Sequence, residues 1–158
     1  NKMGLEPFRE IVKKIGNFDK FSSVVLFGSA GSLSPDLKLG EIYSCTTIKD
    51  TENNSWQMPI LEGLTPNSLL TTKALVFDNN KRLEYFKKYN CSLVDMEASV
   101  FAQLTSEGYF KQTKTYVVRF ISDTYETLPP IDEQGNNYAP NFMNMLHPVM
   151  AKYRKLFL

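Results

Sequence analysis

Residues 21–27 read Phe-Ser-Ser-Val-Val-Leu-Phe and run directly into Gly28-Ser29-Ala30-Gly31-Ser32-Leu33. A β-branched and aromatic run of strand length that stops at two glycines three residues apart describes a buried strand entering a ligand-approaching turn. Such a turn sets backbone N–H groups at the carboxyl end of a sheet strand, where open α/β sheets bind their ligands. Glycine suits that place because no Cβ screens the backbone and positive φ is free of strain. On its own the pattern also fits a tight turn with no ligand, since glycine is the default residue of turns.

The rest of the chain supplies alternating elements around that stretch. Pro7 suits a first helical turn, Phe8, Ile11, Val12 and Ile15 repeat at helical spacing, and Gly16 is placed to end the helix. Residues 42–48 are β-rich, and 49–67 read as a long surface excursion in which Trp56 is a packing anchor or a pocket cap. Residues 68–77 are again strand-like. A short polar helix follows over 82–88 with Leu83 and Phe86 inward. Ser92-Leu93-Val94 is a short apolar run stopping at Asp95-Met96-Glu97, and 98–107 form a helix that Gly108 closes. Tyr116 to Ile121 make the strongest late strand, ending at Ser122-Asp123-Thr124. A loop over 128–140 leads to a last helix capped by Asn141, with Phe142, Met145, Leu146, Val149, Met150 and Tyr153 on its buried face and Pro148 kinking it. The alternation makes the class α/β, in a single domain over 1–158.

Composition excludes several functions. The 158 residues carry a net charge of +1, which gives no reason to expect nucleic acid or an anionic membrane surface as partner. No apolar run approaches the ~20 residues of a membrane span, and nothing at the start reads as a secretory signal. Cys45 and Cys91 stand far apart without metal-like spacing, so two reduced thiols, no metal, and a cytoplasmic protein are expected.

Three strand ends now carry bare backbone or polar side chains: 28–31, 96–97 and 122–123. A parallel sheet gathers such ends into one crevice, so a backbone cradle and two carboxylates can converge there. With Gly28-Ser29-Ala30-Gly31-Ser32-Leu33, continued by Leu37-Lys38-Leu39-Gly40-Glu41-Ile42, then Val94-Asp95-Met96-Glu97-Ala98 and Val118-Arg119-Phe120-Ile121-Ser122-Asp123, the chain resembles the nucleoside phosphorylase and nucleosidase superfamily, the fold of purine nucleoside phosphorylases and methylthioadenosine/adenosylhomocysteine nucleosidases. Lys2-Met3-Gly4 resembles an earlier glycine loop of that family. The four motifs occur in the family's order over residues 2–124. The resemblance implies a three-layer sandwich with a central mixed, largely parallel sheet flanked by helices.

The resemblance implies cleavage of a purine N-glycosidic bond, a reaction that develops positive charge on the ribose and negative charge on the departing base. Glu97 would accept hydrogen bonds from the ribose 2′ and 3′ hydroxyls, with Met96 against the sugar face. Asp123 would hydrogen-bond or protonate purine N7. Ser122 and Arg119 would hold the Asp123 turn, and the backbone of Ser29, Ala30 and Gly31, with Gly4, would approach sugar and nucleophile. Leu75 and Val76 are the candidates for stacking on the base. Arg119 inside an apolar strand also demands a carboxylate partner, whatever the function. His147 reads as an ordinary helix residue.

Two departures bound the analogy. Where phosphorylases of the family place an arginine to clamp phosphate, this chain has Leu26, which favours water as nucleophile and leaves phosphorolysis as the alternative. The family's first strands, with the acidic residue that activates water, would precede Asn1, so the expectation is an N-terminally short domain. It is either a fragment or a reduced relative that only binds nucleosides. Asp rather than Asn at 123 favours adenine-type bases. No cofactor is implied, and a homodimer is expected by resemblance alone.

Overall fold

A computed structural model describes residues 5–16, 18, 20–127 and 139–154. Ten elements follow in chain order: helix α1 (Leu5–Ile15), strands β1 (Ser23–Ser32), β2 (Ile42–Asp50), β3 (Ser55–Gln57) and β4 (Thr65–Thr71), helix α2 (Asn79–Tyr89), strand β5 (Leu93–Asp95), helix α3 (Ala98–Ser106), strand β6 (Lys114–Asp123) and helix α4 (Ala139–Lys152). The expected α/β alternation is present, with a hairpin added. β3 pairs antiparallel with β2, Trp56 opposite Ile48, inside the stretch expected to be irregular.

The sheet is mixed, but it closes on itself instead of lying as the middle layer of a sandwich. Its order is β3-β2-β4-β5-β1-β6, and β6 pairs back onto β2. Three pairings are parallel, β1–β6, β2–β4 and β4–β5. Three are antiparallel, β1–β5, β2–β3 and β2–β6. Closure depends on β2. One edge takes β4 along its length, and the other is shared between β6 at Ile42–Ser44 and β3 at Thr47–Lys49, with a register irregularity between Cys45 and Thr47 where the strand bends.

The apolar run that opens β1 is explained by burial on both faces. Val24, Leu26 and Ala30 pack with Val117 and Ile121 of β6 into a cluster completed by α1 and α3, through Val12, Val100, Phe101 and Leu104. Val25 and Phe27 turn the other way, to Val118, Phe120 and Val149 of α4. A third cluster joins Leu33, Leu70 and Val94 to Tyr89, Phe86 and Val76 at α2.

The helix terminators are where glycine chemistry requires them. Gly16 follows α1 at φ +77° and Gly108 follows α3 at φ +84°. Inward faces differ from expectation in two helices. On α1, Val12 is buried while Ile11 and Ile15 are 54% and 59% exposed. On α2, Leu83 points outward and the buried residues are Arg82 and Tyr89. α4 starts at Ala139, so Asn141 lies inside it; His147 is exposed, and so is Met150, expected on the buried face. Gly4, the 128–138 loop and the side chains of Phe8, Phe142 and Met145 lie outside the described residues.

Candidate functional site

The glycine stretch is strand and not turn. β1 continues through Gly28 and Gly31 to Ser32, and neither glycine has positive φ. What both supply is clearance. A Cβ at Gly28 would lie 3.3 Å from Nη1 and 3.6 Å from Cζ of Arg119. At Gly31 it would lie 2.8 Å from Oδ2 of Asp123 and 3.2 Å from Cγ1 of Val94. Three residues apart in an extended strand, the two glycines open opposite faces of β1, about 10 Å apart along it.

At Gly31 the centre is Asp123. β1 and β6 run in register from Ser23↔Lys114 to Ala30↔Ile121, then slip so that Gly31 meets Asp123 and Ser122 is the extra residue. The Ser122 hydroxyl donates to Asp123 Oδ1 at 2.7 Å and lies 3.2 Å from Ala30 O. Oδ2 accepts from Nη2 of Arg82, whose side chain is fully buried. Nη1 of the same guanidinium donates to Ser32 O at 2.7 Å.

At Gly28 the centre is a buried ion pair. Arg119 reaches across the bare backbone of β1 to Asp95 on β5, its Nη2 and Nε donating to Oδ2 at 2.7 and 3.1 Å. Nη1 donates to the carbonyls of Leu26 and Val118. The carboxylate partner that an arginine in an apolar strand demands is therefore Asp95, and the donors of Arg119 go there instead of to the 122–123 turn.

Asp95 also frees Glu97. Its Oδ2 accepts from the Ala98 backbone N–H at 3.0 Å, its Oδ1 from the Thr71 hydroxyl at 2.8 Å, and Thr71 Oγ1 accepts from the Ser99 N–H at 2.9 Å. The first N–H groups of α3 are thus satisfied by Asp95 and Thr71, and Glu97, at the N-cap position, makes no side-chain cap bond. Partial burial, then the neighbouring Asp95, push the Glu97 carboxyl above its ordinary range, against the pull of Arg119.

The strand pairing leaves a gap between these groups. β5 pairs with β1 only at Gly31↔Val94 and Ser32↔Leu93. Among the described pairings, residues 28–30 therefore bond only toward β6. Beyond that pairing β5 ends at Asp95, the chain bends at Met96 and Glu97, and α3 starts at Ala98. Met96, Glu97, Ser29, Ser122 and Asp123 are all half-buried. Leu75 and Val76 lie in the loop after β4, whose end adjoins β5 through Thr72 N–H to Asp95 O at 2.9 Å. Leu75 is exposed and Val76 packs on the α2 cluster.

A cavity of about 530 Å³ opens elsewhere, between α1, α3 and the ends of β2 and β4, lined by Arg9, Asp50, Trp56, Thr71, Lys73 and Ser99 among others. None of residues 28–31, 96–97 or 122–123 lines it. The strand ends hold one carboxylate fixed by two partners, Asp123, and one left uncapped, Glu97, whereas the charged walls of the cavity include exposed pairs such as Lys73–Glu52, so we take the strand ends as the candidate site.

The sequence motifs mark neither Arg82 nor Asp95 as a site residue. Arg82 shares a helical face with Phe86 and Tyr89, at i, i+4 and i+7, which was a readable sign of an inward guanidinium. Asp95 ends an apolar run two residues before Glu97, so one motif offered two carboxylates and the sequence does not say which of them Arg119 takes.

No family model matches the chain, and no curated protein matches it by sequence. Solved structures do match. A 5′-methylthioadenosine/S-adenosylhomocysteine nucleosidase of Helicobacter pylori, in complex with butyl-thio-DADMe-Immucillin-A, superposes with a TM-score of 0.71 at 16% identity, over 99% of this chain and 75% of that one. A putative nucleosidase of the same kind from Francisella philomiragia gives 0.71 at 14%, over 99% and 75%. Futalosine hydrolase of H. pylori gives 0.65 at 15%, over 96% and 77%. The chain therefore has the fold of these nucleosidases and of futalosine hydrolase.

Proposed function

We propose that the chain cleaves the N-glycosidic bond of a purine nucleoside of the adenosine or methylthioadenosine type, with water as nucleophile. What supports this reading is that Asp123 is fixed at Gly31 by Ser122 and Arg82, while the half-buried Glu97 is left uncapped two residues beyond β5, the strand that pairs with the β1 edge at Gly31.

A riboside laid along that edge puts its sugar at Glu97 and Met96 and its base at Asp123. Glu97 accepts from the ribose hydroxyls and its charge stabilises the oxocarbenium-like sugar of the transition state. Asp123, oriented by Ser122, acts in its protonated form: it delivers the proton to N7 as the glycosidic bond breaks with its electron pair going to the base, water adds to the anomeric carbon, and the proton that water gives up restores the carboxyl. Arg119 reaches no ligand in this scheme; through Asp95 it shapes the start of α3 from which Glu97 emerges.

Water is favoured over phosphate because Leu26 packs into the apolar cluster with Ala30 and Val117 and offers no cation. Arg82 and Arg119 are both committed to carboxylates. The test is incubation with adenosine, methylthioadenosine and inosine, with and without phosphate, reading free base by chromatography. Base released without phosphate supports hydrolysis, and base released only with phosphate replaces it by phosphorolysis. Saturable binding without release makes the chain a nucleoside-binding protein.

A further inference from the structure

Nothing in the superfamily motifs accounts for Arg82. It comes from α2, a helix outside all four motifs, and it is completely buried on an otherwise polar helix, between the exposed Lys81 and Leu83. The helix is fixed at both ends, by Asp78 accepting from the Lys81 N–H at 2.8 Å and by Asn90 in the left-handed conformation. From this frame the guanidinium bridges the last residue of β1, at Ser32 O, to Oδ2 of Asp123.

We infer that Arg82 is the positioning residue of the site, holding Asp123 in the one orientation from which it can act on the purine; this rests on the nucleosidase reading above. Three features support the inference. The β1–β6 register slips where Asp123 sits, so the backbone ladder alone does not fix that residue. The two carboxylate oxygens are held by different groups, Oδ1 by Ser122 and Oδ2 by Arg82, which removes the freedom of the side chain to rotate. The missing Cβ of Gly31 opens the space that Asp123 Oδ2 and Arg82 Nη1 occupy.

The chain beyond Asp123 is tied to the same frame. Asn79 Nδ2 donates to Tyr125 O at 3.0 Å, and the Tyr125 hydroxyl donates to Leu33 O at 2.6 Å. The arrangement is a poor way to stabilise a fold. Arg82 Nε and Asn79 Oδ1 are buried with no hydrogen-bond partner among the described residues, and a buried ion pair is commonly matched or bettered by apolar packing. A site that needs one fixed carboxylate accounts for tolerating both.

The experiment compares Arg82→Met, Arg82→Lys, Asp123→Asn and the Arg82→Met/Asp123→Asn double variant with the wild type. Steady-state kinetics on adenosine are read beside the carboxyl carbon resonance of Asp123 by NMR. Arg82→Met is expected to lower kcat about ten- to hundredfold with KM nearly unchanged, because orientation of a reacting group is lost. Arg82→Lys should recover part of the loss, and the double variant should be no worse than Asp123→Asn alone. Wild-type kcat in a folded Arg82→Met variant, or losses that multiply in the double variant, would overturn the inference. If the wild type cleaves no nucleoside, the nucleosidase reading falls. The resonance then decides alone: a shift in Arg82→Met that Arg82→Lys reverses keeps Arg82 as the residue that orients Asp123, and an unmoved resonance removes it.

Discussion

Replacing Gly31 with alanine tests the structural core of the site. The added Cβ would lie 2.8 Å from Asp123 Oδ2, 3.2 Å from Val94 Cγ1 and 3.5 Å from Arg82 Nη1. Ordinary contact begins near 3.4 Å, so Asp123 must retreat by roughly 0.6 Å, and it has nowhere free to go: Arg82 holds it and is itself tied to Ser32 O at 2.7 Å. Overpacking of this kind costs about 1–3 kcal/mol, while loss of glycine freedom in the unfolded chain returns about 0.4–1 kcal/mol. The net loss of about 1–2 kcal/mol, at a urea slope of about 2 kcal/mol per molar, lowers the unfolding midpoint by about 0.5–1 M. Gly28→Ala is the internal control. The three atoms nearest its Cβ all belong to Arg119, the first at 3.3 Å, so the two terms nearly cancel. Equilibrium urea unfolding of both variants is the assay. A Gly31→Ala protein as stable as Gly28→Ala would refute the claim that glycine is present to admit the Asp123–Arg82 pair.

Further expectations follow from the same contacts. Asp95→Asn leaves Arg119 buried without a counter-charge and should cost about 3–5 kcal/mol in the same assay; a loss below 1 kcal/mol would show that the pair is dispensable. Glu97 has a folded-state pKa above its ordinary 4.5, so the native state binds the extra proton and loses stability as pH rises through that range. Glu97→Gln should therefore be more stable than wild type at neutral pH, with the advantage vanishing below pH 4.5, and it should lose ribose recognition; an advantage that grows toward acid would reverse the sign of the argument. Burial pushes the Cys45 thiol up to about 12 and raises Cys91 as well. Both should resist a thiol reagent in the native protein and react on unfolding.

What the sequence disclosed depended on where the physics was local. Helix stops at Gly16 and Gly108, the burial of the apolar run that opens β1, the strand over 116–121 and the carboxylate that Arg119 required were all legible, because each follows from a residue and its near neighbours. The closed sheet was not, since it turns on a bend inside β2 that lets one edge serve both β6 and β3, and no composition signal marks residues 45–47 as a bend. The glycines stand out in the sequence, but their purpose does not. A strand glycine that clears a guanidinium from another strand looks the same in sequence as one that opens a turn. Arg82 was passed over because a polar helix suggests solvent on every charged position, and only the distant Asp123 gives it a reason to be inside.

The most direct measurement is a crystal structure of the protein soaked with adenine or methylthioadenosine. The account expects the base within hydrogen-bonding distance of Asp123 and, for the nucleoside, the ribose hydroxyls on Glu97, along the 28–30 edge of β1. A ligand seated instead in the cavity beside Trp56 and Lys73, with Glu97 and Asp123 both out of reach, would contradict it.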